Sequence, residues 1–129
     1  MRILIADDDP VSLLLLESML TEWGDLVVTA PDGTTAWELL RSADSPRLAI
    51  LDWIMPGLDG IEICRKVRAE SEAPHTYLIM LTGKTGTDDI VQCIDAGADD
   101  YVSKPVDEEQ LRVRLRAGRR IVELHDALS

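Results

Sequence analysis

Four apolar runs in this chain stop at, or lead to, a residue able to handle charge. Ile3-Leu4-Ile5-Ala6 ends in Asp7-Asp8-Asp9, and Leu48-Ala49-Ile50-Leu51 ends in Asp52. Tyr77-Leu78-Ile79-Met80-Leu81 ends in Thr82-Gly83, and Tyr101-Val102 leads through Ser103 to Lys104-Pro105. Carboxylates gathered at one place repel one another and raise their own pKa values. A divalent cation resolves that conflict. Magnesium is typically held by one or two carboxylates together with phosphate oxygens, and water completes the octahedron. A hydroxyl and an ammonium suit the remaining phosphate oxygens. The set therefore points to a site for Mg2+ and a phosphoryl group, on the condition that the fold brings these ends together. Singly each member is weak evidence, because an Asp commonly just ends a strand and opens a turn.

The elements that must position them are readable from the pattern. The run before Asp52 is short enough for a buried strand and too short for a helix. Pro56 and Gly57 then force a turn, since proline fixes φ and glycine permits positive φ. Asp9 is a good N-cap and Pro10 a good first helical residue, so a helix carrying Val11, Leu14, Leu15, Leu16, Met19 and Leu20 runs from there to near Gly24. Leu26–Ala30 reads as a second strand. A helix comes next from about Thr34 to Ser42, with Ala36, Leu39 and Leu40 inward. Asp59-Gly60 opens a helix with Ile61, Cys64 and Val67 on its stripe. Asp88-Asp89 begin a short one, bearing Ile90, Val91 and Ile94 and closed by Gly97. A long helix starts at Asp107. Its first turn is acidic and its middle is basic (Arg112, Arg114, Arg116, Arg119, Arg120), which complements the macrodipole; these charges read as a solvated face. Strand and helix thus alternate five times with short connections. That predicts an α/β fold, a parallel sheet covered on both faces with right-handed crossovers. Ligands of such sheets bind at the carboxyl ends of the strands.

Composition narrows the function. The length of 129 residues fits one domain with a sizeable core. A net charge of −11 argues against gripping a phosphate backbone, which needs clustered Lys and Arg. No apolar run approaches the roughly 20 residues of a membrane span, and the N-terminus is not a signal peptide. Cys64 and Cys93 lie in helical patterns without metal-ligand spacing and read as reduced packing residues of a cytoplasmic protein. Trp37 and Trp53 also read as packing, and His75 and His125 belong to no visible catalytic set.

At this point the chain resembles the receiver domain of two-component response regulators. The resemblance runs from Arg2 to about Leu115. Its motifs are Ile3-Leu4-Ile5-Ala6-Asp7-Asp8-Asp9-Pro10, Leu51-Asp52-Trp53-Ile54-Met55-Pro56-Gly57-Leu58-Asp59-Gly60, Leu81-Thr82-Gly83, Ala96-Gly97-Ala98-Asp99-Asp100-Tyr101 and Lys104-Pro105. It implies a flavodoxin-like, doubly wound sheet of strand order 2-1-3-4-5, an order for which a member of that family is a standard example. It implies Asp52 as phosphoacceptor from a sensor histidine kinase or phosphotransfer protein. Asp8 resembles the direct magnesium ligand and Asp7 the one acting largely through water, with Asp52 and the backbone carbonyl of Ile54 completing the protein ligands. Lys104 resembles the lysine that pairs with a phosphate oxygen, across a cis Lys104-Pro105 bond. Thr82 and Tyr101 resemble the switch pair, which alters the surface of the fourth helix, fifth strand and fifth helix. Ile54 and Lys84, two places after the acceptor and the threonine, resemble the positions that flank the hydrolytic water.

Two rival readings remain at this level. Asp7-Asp8-Asp9 contains the D-x-D of a haloacid-dehalogenase-type magnesium phosphatase, but Lys104 then comes after the Asp99-Asp100 pair, the wrong order, and Asp52-Trp53-Ile54-Met55-Pro56 goes unexplained. A receiver-like interaction module that is never phosphorylated conflicts with the complete acidic set. Residues 1–129 read as one domain that is not a turnover enzyme for an external substrate, with 116–129 a helical extension. Two readings stay open, a stand-alone receiver and the N-terminal part of a longer regulator with a covalently linked effector. Ala117, Ile121, Leu124 and Leu128 form slightly more than one heptad of seam, so the last helix is expected to contribute to a homodimer. The tail resembles receivers that continue into a diguanylate cyclase or phosphatase domain.

Overall fold

A computed structural model of the chain describes residues 1–70 and 75–128; Ser129, the last residue of the expected extension, lies outside them. Five parallel strands form one sheet of order β2-β1-β3-β4-β5: β1 (Arg2–Ala6), β2 (Leu26–Ala30), β3 (Leu48–Asp52), β4 (Tyr77–Thr82) and β5 (Asp100–Ser103). The helices between and after them are α1 (Pro10–Glu22), α2 (Gly33–Leu40), α3 (Gly60–Ala69), α4 (Thr87–Ala96) and α5 (Glu108–Leu128). The strand order and the alternation are those expected from the sequence. Boundaries shift by one or two residues: β5 is longer than its apolar pair, and α4 starts at Thr87 with Gly86 as an N-cap lacking a side-chain bond. Asp107 precedes α5 and accepts the Gln110 N–H, so it caps the helix from outside.

The central strands are buried along their whole length, which is why their runs are uninterrupted by polar residues. Side chains alternate between the two faces. Leu4, Ala6, Ala49, Leu51, Leu78 and Met80 meet α2, α3 and α4, while Ile3, Ile5, Leu48, Ile50, Ile79 and Leu81 meet α1 and α5. Cys64 and Cys93 are both buried, and burial pushes the Cys64 thiol up to about 12. No helix among the described residues is long and apolar enough to cross a membrane.

α5 departs from the expectation of a solvated basic face. Arg119 pairs with Asp25, Arg114 with Asp100 at 3.3 Å, and the Arg112 guanidinium lies 5.6 Å over the Trp23 ring. Arg116 and Arg120 are exposed. The helix also packs further than Leu115. Gly118 and Val122 are buried, and a Cβ on Gly118 would stand 2.8 Å from the Tyr77 ring, so only glycine lets the helix lie this close to β4. Ile121, Leu124 and Leu128 of the expected seam remain exposed.

The end of α5 is tied down by residues that carried no signal in the sequence. The imidazoles of His75 and His125 stack with centroids 4.3 Å apart, and Arg47 joins the His75 carbonyl to the Asp126 carboxylate. Burial lowers the His75 pKa below its usual value. Asp99, whose Oδ1 is 3.9 Å from Nε2, opposes this, while Arg68, His125 and Arg47 reinforce it. The unfolded chain therefore binds a proton at His75 before the folded one does. The stabilisation is complete above the unfolded value of about 6.5 and is lost as pH falls through the folded one. Acidification from pH 7 to 5 is expected to shift the unfolding midpoint of the natural chain downward relative to that of His75→Gln. Parallel pH profiles of the two chains would refute this account.

Candidate functional site

Strand pairing brings the chemistry-bearing ends together. Ala6 is in register with Leu51, so Asp7 and Asp52 leave neighbouring strands side by side. Asp52 is in register with Leu81, and Thr82 with Ser103, which sets Thr82 and Lys104 along the same edge. The order reverses between β1 and β3, because β1 leads outward to β2 and β3 leads to β4. Crevices at such switch points are where open α/β sheets take ligands.

Asp7 is fully buried; its Oδ1 accepts the Asp9 N–H at 2.9 Å. Its Oδ2 is buried with no hydrogen-bond partner among the described residues, and the Lys104 ammonium stands 3.7 Å away. Asp52 is 6% exposed and its Oδ1 lies 3.0 Å from Lys104 Nζ. Asp8 is exposed at the rim. One oxygen from each of Asp7, Asp8 and Asp52 falls within a 4.8 Å group. A buried carboxylate oxygen without a partner is costly. An oxygen-seeking cation would satisfy it, so the donor set fits a hard divalent ion. Burial raises the Asp52 pKa from 3.8 to about 6; the Asp7 charge adds to this and Lys104 opposes it. Burial disfavours the Lys104 ammonium, but its bond to Asp52 and the charges of Asp52, Asp7 and Asp8 outweigh that and raise its pKa.

The loops hold these groups rigidly. The Lys104 N–H donates to the Thr82 carbonyl at 2.8 Å, and the Lys104-Pro105 bond is cis, as the resemblance implies. After Asp52, the Trp53 N–H donates to the Leu81 carbonyl at 3.0 Å, and the Trp53 carbonyl accepts the Gly60 N–H at 2.8 Å. Gly57 takes the positive φ of +81° that the turn requires. The Gly33 N–H donates to the Pro56 carbonyl, and a Cβ on Gly33 would lie 1.6 Å from the Leu58 oxygen. The loop after Asp52 is thus clamped onto the start of α2.

The remaining expected residues sit around this centre. Ile54 is 64% exposed at the rim. Thr82 is buried, and its hydroxyl oxygen accepts the Lys84 N–H at 2.8 Å. Tyr101 lies one strand further out, in register with Met80, half-buried against the α4 side of the core. Trp53 packs in the core as expected, and the Lys84 ammonium also rests 5.0 Å over its ring. Asp9 does not join the site: its carboxylate accepts from the Val11 N–H and the Ser12 hydroxyl at the start of α1. Sequence reasoning missed Arg68 entirely. It bonds the Gly97 and Thr76 carbonyls and the Asp99 carboxylate, joining α3 to the approach to β5. Asp99 within Ala96–Tyr101 was the available signal, since a carboxylate at a strand's approach needs a cation once half-buried.

Comparison with known proteins agrees with this geometry. The family model of the response regulator receiver domain matches residues 3–116. The transcriptional regulatory protein CseB of Streptomyces coelicolor is 42% identical over 90% of this chain and 48% of its own length. The DNA-binding response regulator MtrA of Mycolicibacterium smegmatis is 41% identical over 90% of this chain and 49% of its own. The chain therefore spans about half the length of these curated relatives. Among solved structures, the receiver domain of a Pseudomonas aeruginosa sensor histidine kinase superposes with a TM-score of 0.79 at 30% identity, covering 91% of this chain and 95% of that one. That structure carries a magnesium ion coordinated in its active-site cleft. A sheet edge that collects Asp7, Asp52, Thr82 and Lys104, and a family match over nearly the whole chain, lead to one conclusion: the chain belongs to the receiver domains of two-component response regulators.

Proposed function

We propose that Asp52 is the phosphoacceptor of this receiver and that Asp7, Asp8, Lys104 and Thr82 serve its phosphorylation. The observation that carries this is the 3.0 Å contact between Asp52 and Lys104 within the three-carboxylate group. At neutral pH Asp52 is above its raised pKa of about 6, so its carboxylate is available to attack. An Asp52 oxygen attacks phosphorus, and the P–N bond to the histidine of the kinase or phosphotransfer protein breaks as the P–O bond forms. Lys104 holds a phosphoryl oxygen as charge passes through it. Asp7, Asp8, Asp52 and the Ile54 carbonyl would hold Mg2+, which supplies charge neutralisation at the phosphoryl oxygens. The Thr82 hydroxyl keeps its own proton while accepting from Lys84, so it can donate to the new phosphoryl group. Its movement frees space for Tyr101, and the change reaches the surface of α4, β5 and α5. Stoichiometric, acid-labile labelling of Asp52 by a small phosphodonor supports this reading; no label, or a label elsewhere, overturns it.

The phosphatase alternative loses its second acid, because Asp9 is occupied at the α1 cap. The unphosphorylated module would have no use for a buried Asp7 oxygen left without a partner. The protein is accordingly a phosphoryl acceptor that also sheds the group by its own hydrolysis, at a rate set by Ile54 and Lys84. The same reading puts residues 1–129 in the cytoplasm as one receiver domain. It joins 116–129 to an effector as in the regulators it resembles, and gives this domain no direct nucleic-acid contact.

Homodimerisation through α5 is part of this proposal, supported by the exposed Ile121 (37%), Leu124 (53%) and Leu128 (86%). A cut after Arg116 would take Val122 out of the core, so charge substitution is the cleaner test. Sedimentation of the phosphorylated chain is expected to show a dimer, and Ile121→Lys with Leu124→Lys a monomer of unchanged fold. The same mass for both chains, with and without a phosphoryl mimic, would refute it.

A further inference from the structure

Lys84 and Trp53 stand on adjacent loops, one after β4 and one after β3. Their side chains meet: the ammonium is 5.0 Å from the centre of the indole. Lys84 is exposed while Trp53 is 5% exposed, so a solvent-accessible cation lies over the ring of a buried indole. Trp53 immediately follows Asp52. The backbone N–H of Lys84 is bound to the Thr82 hydroxyl oxygen at 2.8 Å. Three residues of the site are thereby linked in a chain, from Thr82 through the Lys84 backbone and ammonium to the Trp53 ring.

We propose that Trp53 is a positioning residue whose ring holds the Lys84 ammonium in the resting protein and yields it to the phosphoryl oxygens once Asp52 is phosphorylated. The inference rests on Asp52 being the phosphoacceptor. In the resting site the Asp52 carboxylate is buried and already paired with Lys104, so it leaves Lys84 little to bind. A phosphoryl group on Asp52 carries its oxygens further out of the cleft, toward the rim where Lys84 stands. Thr82 moving to that group draws the Lys84 backbone with it, because the two share a hydrogen bond. Lys84 offers donors only, so it can hold the oxygens and cannot take a proton from an attacking water. While it holds them its side chain stands in the approach of the hydrolytic water, and this blocking slows hydrolysis, in which water attacks phosphorus and the P–O bond to Asp52 breaks. The indole competes for the same ammonium. Its strength therefore sets how much of the phosphorylated form is held.

A ring–cation contact at an exposed site corresponds to about a two- to fivefold change in an equilibrium. The experiment uses the chain with Trp23→Phe and Trp37→Phe, so that emission reports Trp53 alone. Without phosphodonor, Lys84→Met is expected to change that emission. With magnesium and a small phosphodonor, the emission of the chain that keeps Lys84 should move toward that of Lys84→Met. Lys84→Met itself should move less. The decay of the label, followed by mass in otherwise natural chains, should be slower by about two- to fivefold in Trp53→Leu. It should be faster in Lys84→Met, and adding Trp53→Leu to Lys84→Met should have no further effect. Trp53→Phe, which keeps the core filled and offers a weaker face, should act in the same direction by less. Equal resting emission with and without Lys84→Met removes the contact in solution and overturns the proposal. So does a Trp53 effect of equal size in both backgrounds, which would belong to packing alone. Absence of label on the unsubstituted chain sinks the phosphoacceptor reading and the transfer of Lys84 with it, while the resting emission still decides whether the contact exists.

Discussion

Asp52→Ala is expected to abolish labelling by a small phosphodonor in magnesium buffer, while the natural chain gains the mass of one phosphoryl group. The loss should be at least about a thousandfold in rate, as removal of an attacking group is in enzymes. Three carboxylates converge here with one ammonium, and only Asp52 both touches Lys104 at 3.0 Å and, unlike Asp7, keeps a sliver of exposure. Asp7 is sealed in, with one oxygen taken by the Asp9 N–H. A chelator should abolish the label as well. An inactive variant must be shown to be folded, and the electrostatics supply that control. The Asp52 pKa is raised, chiefly by burial, from 3.8 to about 6. A raised carboxylate contributes stability that is complete below its unfolded value and is lost as pH rises through the folded one. In the metal-free natural chain the Asp52 contribution should therefore be lost as pH rises from about 4 to 7, opposite in sign to that of His75, and it is read as the difference between the natural chain and Asp52→Ala. Label that survives in Asp52→Ala, or persists in chelator, would remove Asp52 from the role.

The second large effect concerns the lifetime of the phosphorylated form. Ile54→Asn combined with Lys84→Glu is expected to speed its decay by about one to three powers of ten, the usual size of a positioning or general catalytic group. Hydrolysis needs a water lined up behind phosphorus. Ile54 is β-branched and apolar and stands at the rim, 64% exposed, where it can shield the phosphoryl group but cannot orient water. Lys84 accepts no hydrogen bond. Asn and Glu would supply acceptors on both sides of the water's approach. Both positions are exposed, so the double variant should fold as the natural chain does, and the site of labelling should not change. Decay no faster than in the natural chain would refute this account of the lifetime and leave Asp52 as acceptor untouched.

Much of this protein was legible without coordinates, for local reasons. An apolar run of strand length that stops at Asp7 or Asp52 tells where a buried strand ends, and Pro10, Gly24, Gly57 and Gly97 punctuate the segments between strands. Parallel strands separated by helices all present the same end. The residues that terminate the apolar runs therefore share one edge, and these are Asp7, Asp8, Asp52, Thr82 and Lys104. The family motifs supplied the strand order, which alternation cannot.

Only the tertiary structure decided the contacts between residues far apart in the chain, because periodicity fixes a face and not the neighbour on it. It joined Arg119 to Asp25 and Arg114 to Asp100, where the sequence offered only a charged helix face. It carried the packed stripe of α5 on to Gly118 and Val122, because α5 runs past Tyr77 at the start of β4. It stacked His75 on His125 and fastened Arg68 to Asp99. In the site itself, the sequence determined which charged groups share the edge. Crossover geometry alone determined that one Asp7 oxygen is sealed away from every hydrogen-bond partner among the described residues, and that the Lys84 ammonium comes to rest on Trp53.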